Sequence, residues 1–244
     1  MTIAAPTATL LDPAQAYALW AESYPPHAHN PVMLAEERAM LALLPASLHG
    51  LAVLDAGCGS GRYLLHALAR GARHVTGVDL SAPMLARAAA AVGEAGNAGR
   101  VTLVQGNLDA LPMPGGGADL SLCGLAIGHL PDLRRCLAEL CRVTRPGARL
   151  LCSDFHPIGP ALGWARSFRS GGTAYAVRHA QHLYGHWHDA CKAVGLEIED
   201  VREPMLDPAD IAPGAHFDPL ALQVPVALVL ALRRVPHANR RRGR

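Results

Sequence analysis

Apolar and polar positions follow two rhythms along this chain. From residue 51 onward, short continuous apolar runs alternate with longer stretches whose apolar positions recur every three to four residues. The runs LAVLDAG (51–57), HVTGVDL (74–80), RVTLVQG (100–106), ADLSLCGL (118–125) and ARLLCSDF (148–155) read as buried strands. Two more follow, LEIEDVRE (196–203) and VPVALVLALRR (224–234), the second with Pro225 near its start. Between them, YLLHALAR (63–70) has helical spacing and stops at Gly71. Ser81 is placed to cap the next helix, Pro83 suits its first turn, and MLARAAAAV carries it to Gly93. PDLRRCLAELCRVTRPG puts Leu133, Leu137 and Leu140 on one face and ends where Pro146-Gly147 cannot continue a helix. Strand and helix in alternation predict an α/β fold with a parallel sheet.

Two segments break the alternation. Residues 1–48 precede the first strand, and about 40 residues separate strands five and six, where connections usually run about 2–6 residues. Extra chain at such places covers a site. The expected organisation is one domain over 1–234, with an N-terminal helical lid (1–48), a cap insertion (155–195) and a basic tail (235–244). MLAEERAMLALL in the lid reads as an amphipathic helix whose Met and Leu stripe belongs to the core.

Composition narrows the function classes. Half of the 244 residues are apolar and the net charge is +2, so a sizeable core is expected and the basic residues concentrate only in RRVPHANRRRGR at the end. No aromatic platform accompanies that tail, so no nucleic-acid partner is expected. The longest apolar run, Val224 to Leu232, falls short of the ~20 residues that cross a membrane. The first residues carry no Lys or Arg ahead of their apolar positions, unlike a secretory signal. Six cysteines without a C-x-x-C pair argue against a zinc ribbon or a disulfide framework and point to reduced thiols in the cytoplasm.

The richest stretch is VLDAGCGSGRYL, where Gly57, Gly59 and Gly61 lie between a buried strand and a helix. Glycines there let the backbone turn sharply and approach a ligand, and the helix start offers free N–H groups. Asp79 ends the next strand 20 residues after Gly59, where a carboxylate accepts both hydroxyls of a ribose. The spacing is G-x-G-x-G, not the G-x-G-x-x-G of dinucleotide-binding folds, which disfavours a nicotinamide oxidoreductase. The bland alternative is a strand-to-helix turn with no ligand.

VLDAGCGSG, VTGVDLSAPMLARA, QGNLDALPMP and RVTRPGARLL, in that order, resemble the signature of class I S-adenosylmethionine-dependent methyltransferases. The resemblance is to the small-molecule branch that includes quinone-ring and malonyl-acyl carrier protein methyltransferases, over about residues 17–155 and more faintly 195–234. It implies a Rossmann-like fold with a seven-stranded, mostly parallel sheet whose last strand is antiparallel. It also implies S-adenosyl-L-methionine as cofactor. Gly57, Cys58 and Gly59 would pass its methionine and ribose end, Asp79 would hold the ribose diol, and Leu80 and Met84 would cover an adenine face. Asn107 and Leu108 would meet the adenine edge; the family usually has Asp where Asn107 stands, and an Asn oxygen still accepts. Cys123, Gly124 and His129 would lie near the methyl-bearing end, and Tyr24, in a W-A-x-x-Y opening typical of the family, would fold over the methionine end.

His129 is the candidate general base, since imidazole titrates near neutrality. Its other reading is a hydrogen bond to the cofactor or to the helix start near Pro131. The cap segment mixes aromatics with arginines (Phe155, His156, Trp164, Arg166, Phe168, Arg169, Tyr175), which suits a flat, oxygen-bearing or anionic acceptor. Expected substrate contacts are His29, Phe155, His156, Trp164, Arg169, His179 and His182, each also readable as cap packing. The expected reaction is methyl transfer to a small metabolite, foremost an aromatic or heteroaromatic hydroxyl or nitrogen. The alternatives are methyl esterification of a carboxylate on a carrier-protein thioester, and a catalytically silent cofactor-binding subunit.

RHAQHLYGHWHDAC (178–191) holds four histidines. Leu183, Trp187, Cys191 and Val194 share helical spacing and Gly195 ends the run, so residues 183–194 are expected to bury a Trp stripe against the sheet. His188 then faces solvent and His186 flanks the stripe. Only His179, His182 and His186 could share a face, and Gly185 interrupts a helix through them, so no metal site is expected.

Overall fold

The computed structural model describes residues 2–3, 8–214 and 217–236; most of the basic tail lies outside the described residues. Seven strands form the central sheet: β1 (Ala52–Ala56), β2 (His74–Asp79), β3 (Val101–Gln105), β4 (Ala118–Gly124), β5 (Thr144–Phe155), β6 (Leu196–Arg202) and β7 (Ala227–Arg234). Their order is β6-β7-β5-β4-β1-β2-β3. β7 runs antiparallel to both β5 and β6, and the remaining pairs are parallel. This is the seven-stranded sheet with an antiparallel last strand that the motifs imply. β5 starts four residues earlier than its apolar run. Pro146-Gly147 interrupts the pairing as a bulge, with Ala118 opposite Thr144 and then Leu120 opposite Arg149.

Helices α3 (Arg62–Ala69), α4 (Ala82–Glu94) and α5 (Leu133–Val143) connect successive strands, and α6 (Tyr184–Val194) leads into β6. The Ser81 hydroxyl accepts from the Met84 amide, and the Asp132 carboxylate accepts from the Arg135 amide, so two helix starts are capped by their own sequence. Leu64, Val75, Leu122, Leu151 and Val229 fill one face of the sheet with α3 and α4. Leu137, Leu140, Leu150, Leu230 and Trp187 fill the other with α5 and α6. Trp187 is fully buried as its spacing predicts, whereas Leu183 stands at the start of α6 and is exposed. Among the described residues, no helix is long and apolar enough to cross a membrane.

The N-terminal segment and the insertion after β5 build one cover. Residues Thr9–Leu11 pair in parallel with Thr173–Val177, which pair antiparallel with Ser167–Ser170. Helix α1 (Pro13–Trp20) packs beneath this small sheet, with Trp20 stacked on Phe168 at 4.6 Å between ring centres. Helix α2 (Pro31–Leu43), capped by Asn30, runs against β5 and β7. Lid and cap, read apart in the sequence, therefore meet above the carboxyl ends of β1, β2 and β4.

Candidate active site

The glycine loop leaves β1 in a tight turn. The Gly57 and Cys58 amides donate to the Val78 carbonyl at 2.7 and 3.0 Å. Gly57 has φ +75°, and a Cβ on it would lie 2.4 Å from that of Ala126. Only glycine fits there, so the loop and the turn after β4 stay close enough to flank one cavity. The Asp79 carboxylate accepts from the Gly59 amide on one oxygen and the Ser81 amide on the other, both at 2.8 Å. Burial pushes this carboxyl up, against the pull of those two N–H donors. Leu125, at the end of β4, has φ +54°, a conformation that costs a leucine about 1–3 kcal/mol. It is held there by its amide, which donates to the carbonyl and hydroxyl of Ser153.

These elements surround a cavity of about 480 Å³. Of the positions assigned to the cofactor from sequence, Tyr24, Gly57, Cys58, Gly59, Asp79, Leu80, Met84, Asn107, Leu108, Gly124 and His129 line it. Cys123 does not. Strand alternation turns its side chain into the core, where it is fully buried, and gives the cavity side to Gly124. Burial raises the Cys58 thiol well above its usual range, as expected of a packed rather than a nucleophilic cysteine.

A buried network holds this wall. Glu36 of α2 accepts from Arg62 Nη1 at 2.8 Å, from the Tyr63 hydroxyl at 2.8 Å, and from the Ser153 hydroxyl. It thereby ties the lid to α3 and β5, and Arg62 and Tyr63 both face the cavity. Asp55, next to the end of β1, is buried behind the glycine loop with both carboxylate oxygens unpartnered.

His129 stands opposite the loop. Its Nδ1 lies 3.2 Å from the Arg178 carbonyl, which can only accept, so Nδ1 carries the proton. Its Nε2 then accepts from the Tyr17 hydroxyl at 2.8 Å. Burial, then the charges of Arg166 and His179, push its titration down to about 3. The imidazole is therefore neutral at physiological pH, and its lone pair is already occupied.

None of the positions assigned to the substrate from sequence lines the cavity. His29 is exposed, its ring edge-on to Tyr24. Phe155 lies a layer back, between Arg166 and His179. His156 is buried and bonded to Glu203, and the Trp164 indole donates to Asp218. Arg169 is exposed on the strand Ser167–Ser170, bonded to the Gly172 carbonyl in the turn that follows. His179 pairs with Asp154 at 2.9 Å behind His129, where a Cβ on Gly128 would strike it, and His182 donates to the Leu130 carbonyl. His186 caps α6 and His188 sits beside Asp189 at the surface, so the four histidines each have a separate partner. Among the described residues no group of three or more His, Cys, Asp or Glu converges to hold a metal ion.

The cavity's far wall comes instead from Tyr17, Arg166, and Arg178 with its ion partner Asp12. Arg166 had a readable signal. Trp164, Arg166 and Phe168 alternate in WARSF, so the arginine shares the inward face of two buried aromatics.

A family model described as a methyltransferase domain matches residues 54–152. The chain is 38% identical over 144 residues to a ubiquinone/menaquinone biosynthesis C-methyltransferase of Methylobacterium nodulans, covering 58% of this chain and 55% of that protein. It is 40% identical over 141 residues to a malonyl-[acyl-carrier protein] O-methyltransferase of Erwinia billingiae, covering 57% of this chain and 52% of that protein. It thus spans about half the length of the curated relatives it matches. The crystal structure of an S-adenosylmethionine dependent methyltransferase from Mesorhizobium loti superposes with a TM-score of 0.64 at 28% identity, covering 82% of this chain and 98% of that one.

Proposed function

We propose that this chain, a class I S-adenosylmethionine-dependent methyltransferase by its fold and by the domain across residues 54–152, methylates a small, flat acceptor at the aromatic end of its cavity. One observation carries the reading. A single cavity joins the glycine loop and Asp79 at one end to Tyr17, Tyr24, His129 and Arg166 at the other.

The residues fit the donor. Gly57 leaves a cradle that a side chain would fill, and the Asp79 oxygens, each with one amide donor, keep lone pairs for a ribose diol. Met84 and Leu108 offer apolar cover for an adenine, and Asn107 an acceptor for its amino group. When bound, S-adenosylmethionine supplies an electrophilic methyl group. The chain's own task is to align the acceptor and exclude water, and positioning of that kind is worth up to about 7–11 kcal/mol. Tyr17 and Tyr24 provide ring surface for a flat acceptor. His129, neutral and bonded to Tyr17, is a weak base, which favours a heteroaromatic nitrogen or an already ionised oxygen over a neutral alcohol.

Calorimetric titration with S-adenosylmethionine, S-adenosylhomocysteine and NADH tests the donor. Binding of the dinucleotide but of neither S-adenosyl compound would sink the reading. Asp79→Ala is expected to weaken donor binding by roughly 1–3 kcal/mol, about 5- to 150-fold. A metabolite extract incubated with labelled donor identifies the acceptor.

A further inference from the structure

The cavity holds three arginines, and two are matched. Arg62 is paired with Glu36, and Arg178 with Asp12. Arg166 has no such partner. Among the described residues no carboxylate forms an ion pair with it, and its one side-chain hydrogen bond is from Nη2 to the Tyr24 hydroxyl at 2.7 Å. Its Nε is buried and unpartnered. The guanidinium is packed among aromatic rings, its Cζ 5.0 Å from the ring centre of Phe155, 5.2 Å from Trp20 and 5.6 Å from Tyr17. Ring faces attract a cation but leave its hydrogen-bond donors unsatisfied. Arg166 is half-buried, and a partly desolvated cation without a counter-charge is costly to keep in a fold.

We propose that Arg166 is the docking charge for an anionic group of the methyl acceptor, a carboxylate or an ionised oxygen on a flat ring. The proposal rests on the methyltransferase reading of the same cavity and names the substrate class within it. The geometry suits the assignment. Arg166 enters from the cap, on the wall facing the glycine loop, and lines the cavity beside Tyr17, Tyr24 and His129. The surrounding rings exclude water, which strengthens a charge-assisted bond to an oxyanion, and a planar guanidinium matches a planar carboxylate. An anion placed there also offsets the positive charge that faces His129.

The test uses the full chain saturated with S-adenosylhomocysteine. Sodium benzoate and its neutral isostere benzamide are titrated in, and binding is followed by ligand-observed NMR and tryptophan fluorescence, Trp20 lying against Arg166. Benzoate is expected to bind at least ~10-fold more tightly than benzamide. Arg166→Lys should keep part of that preference and Arg166→Gln should abolish it, with S-adenosylhomocysteine affinity changed less than ~3-fold in either. Thermal melting confirms that both variants fold, and the lysine variant carries the test if the glutamine variant does not. A loss of ~10-fold or more in S-adenosylhomocysteine affinity on substitution would assign the guanidinium to the donor's own carboxylate and overturn the proposal. Equal binding of benzoate and benzamide, or binding of neither at ~20 mM, overturns it as well. Failure of the unaltered chain to bind S-adenosylhomocysteine is a separate result, and it counts against the proposed function.

Discussion

Replacing Asp55 with Asn should stabilise the protein, and the gain should grow with pH. Asp55 is 1% exposed and both of its oxygens lack a partner. Burial pushes its carboxyl from 3.8 up to about 7; Arg62 and, more weakly, the nearby Leu64 amide pull the other way, and Asp79 adds to the rise. A carboxyl raised in the folded chain contributes stability that is fully present below the unfolded value and lost as pH rises through the folded one. A separation of about 3 pH units, at about 1.4 kcal/mol per unit, makes the buried charge cost roughly 4 kcal/mol once both states are ionised. Near pH 4.5 only about 1 kcal/mol of this has appeared, because that pH lies less than one unit above the unfolded value of 3.8. Asn never ionises, so the stability difference between Asp55→Asn and the parent should be about 3 kcal/mol larger at pH 8.5 than at pH 4.5. Comparing the two pH values cancels any packing difference of the amide. Guanidinium denaturation of both proteins at both pH values gives the four free energies needed. A difference that stays constant to within about 1 kcal/mol would mean that Asp55 finds a partner or water, and would refute the reasoning.

Three further outcomes follow from the cavity's charges. Glu36→Gln strands Arg62 with only Glu37, 3.5 Å away, and should lower stability by about 3–5 kcal/mol, while Glu36→Leu with Arg62→Leu should recover most of it; a loss under about 1 kcal/mol in chemical denaturation would contradict the network. His129 folds neutral with its titration held near 3, so the unfolded chain takes up its proton first and stability should fall as pH drops below about 6.5. Arg166→Gln removes the second largest cause of that depression and should move the imidazole resonance of His129 to titrate at higher pH, still below 6.5 because burial remains; an unmoved titration would separate the two groups.

What could be read in advance depended on range in the sequence. The turn at Gly57, the cap at Ser81 and the carboxylate of Asp79 are local features, and the residues of VLDAGCGSG and VDLS line one end of a single cavity. Cys123 was readable too, because alternation in β4 sends neighbouring residues to opposite faces and Gly124 took the cavity side. The opposite, aromatic end was legible only at Arg166, since its shape is set by pairing Thr9–Leu11 with Thr173–Val177, residues far apart in the chain. That pairing aims Arg166 and Tyr17 inward and leaves Arg169 on the exposed face of its strand. His156 and Trp164 look like ligand-binding residues until Glu203 and Asp218, supplied by a later segment, are seen to satisfy them.

Three features that local physics disfavours gather at this one cavity. Leu125 holds a left-handed backbone, Asp55 is a buried acid without a partner, and Arg166 is an enclosed cation without an acid. Elsewhere charges are matched, as where Arg142 pairs with Glu139 and Arg149 and Arg233 share Glu199, and the one buried unpartnered side-chain donor away from the cavity among the described residues is the neutral indole N–H of Trp187. Unfavourable features that converge on a cleft mark a place held for something other than stability. Their signs carry information as well. Asp79 sets negative charge beside the glycine loop, where a sulfonium donor would lie, and Arg166 sets positive charge in the cap opposite. A cavity polarised in this way favours a cation at one end and an anion at the other. Where the oxyanion at Arg166 itself accepts the methyl group, transfer leaves two neutral centres, so both ends would hold the reactants more firmly than the products. On this account the charges that weaken the empty fold would order the ligands before reaction and help release them afterwards.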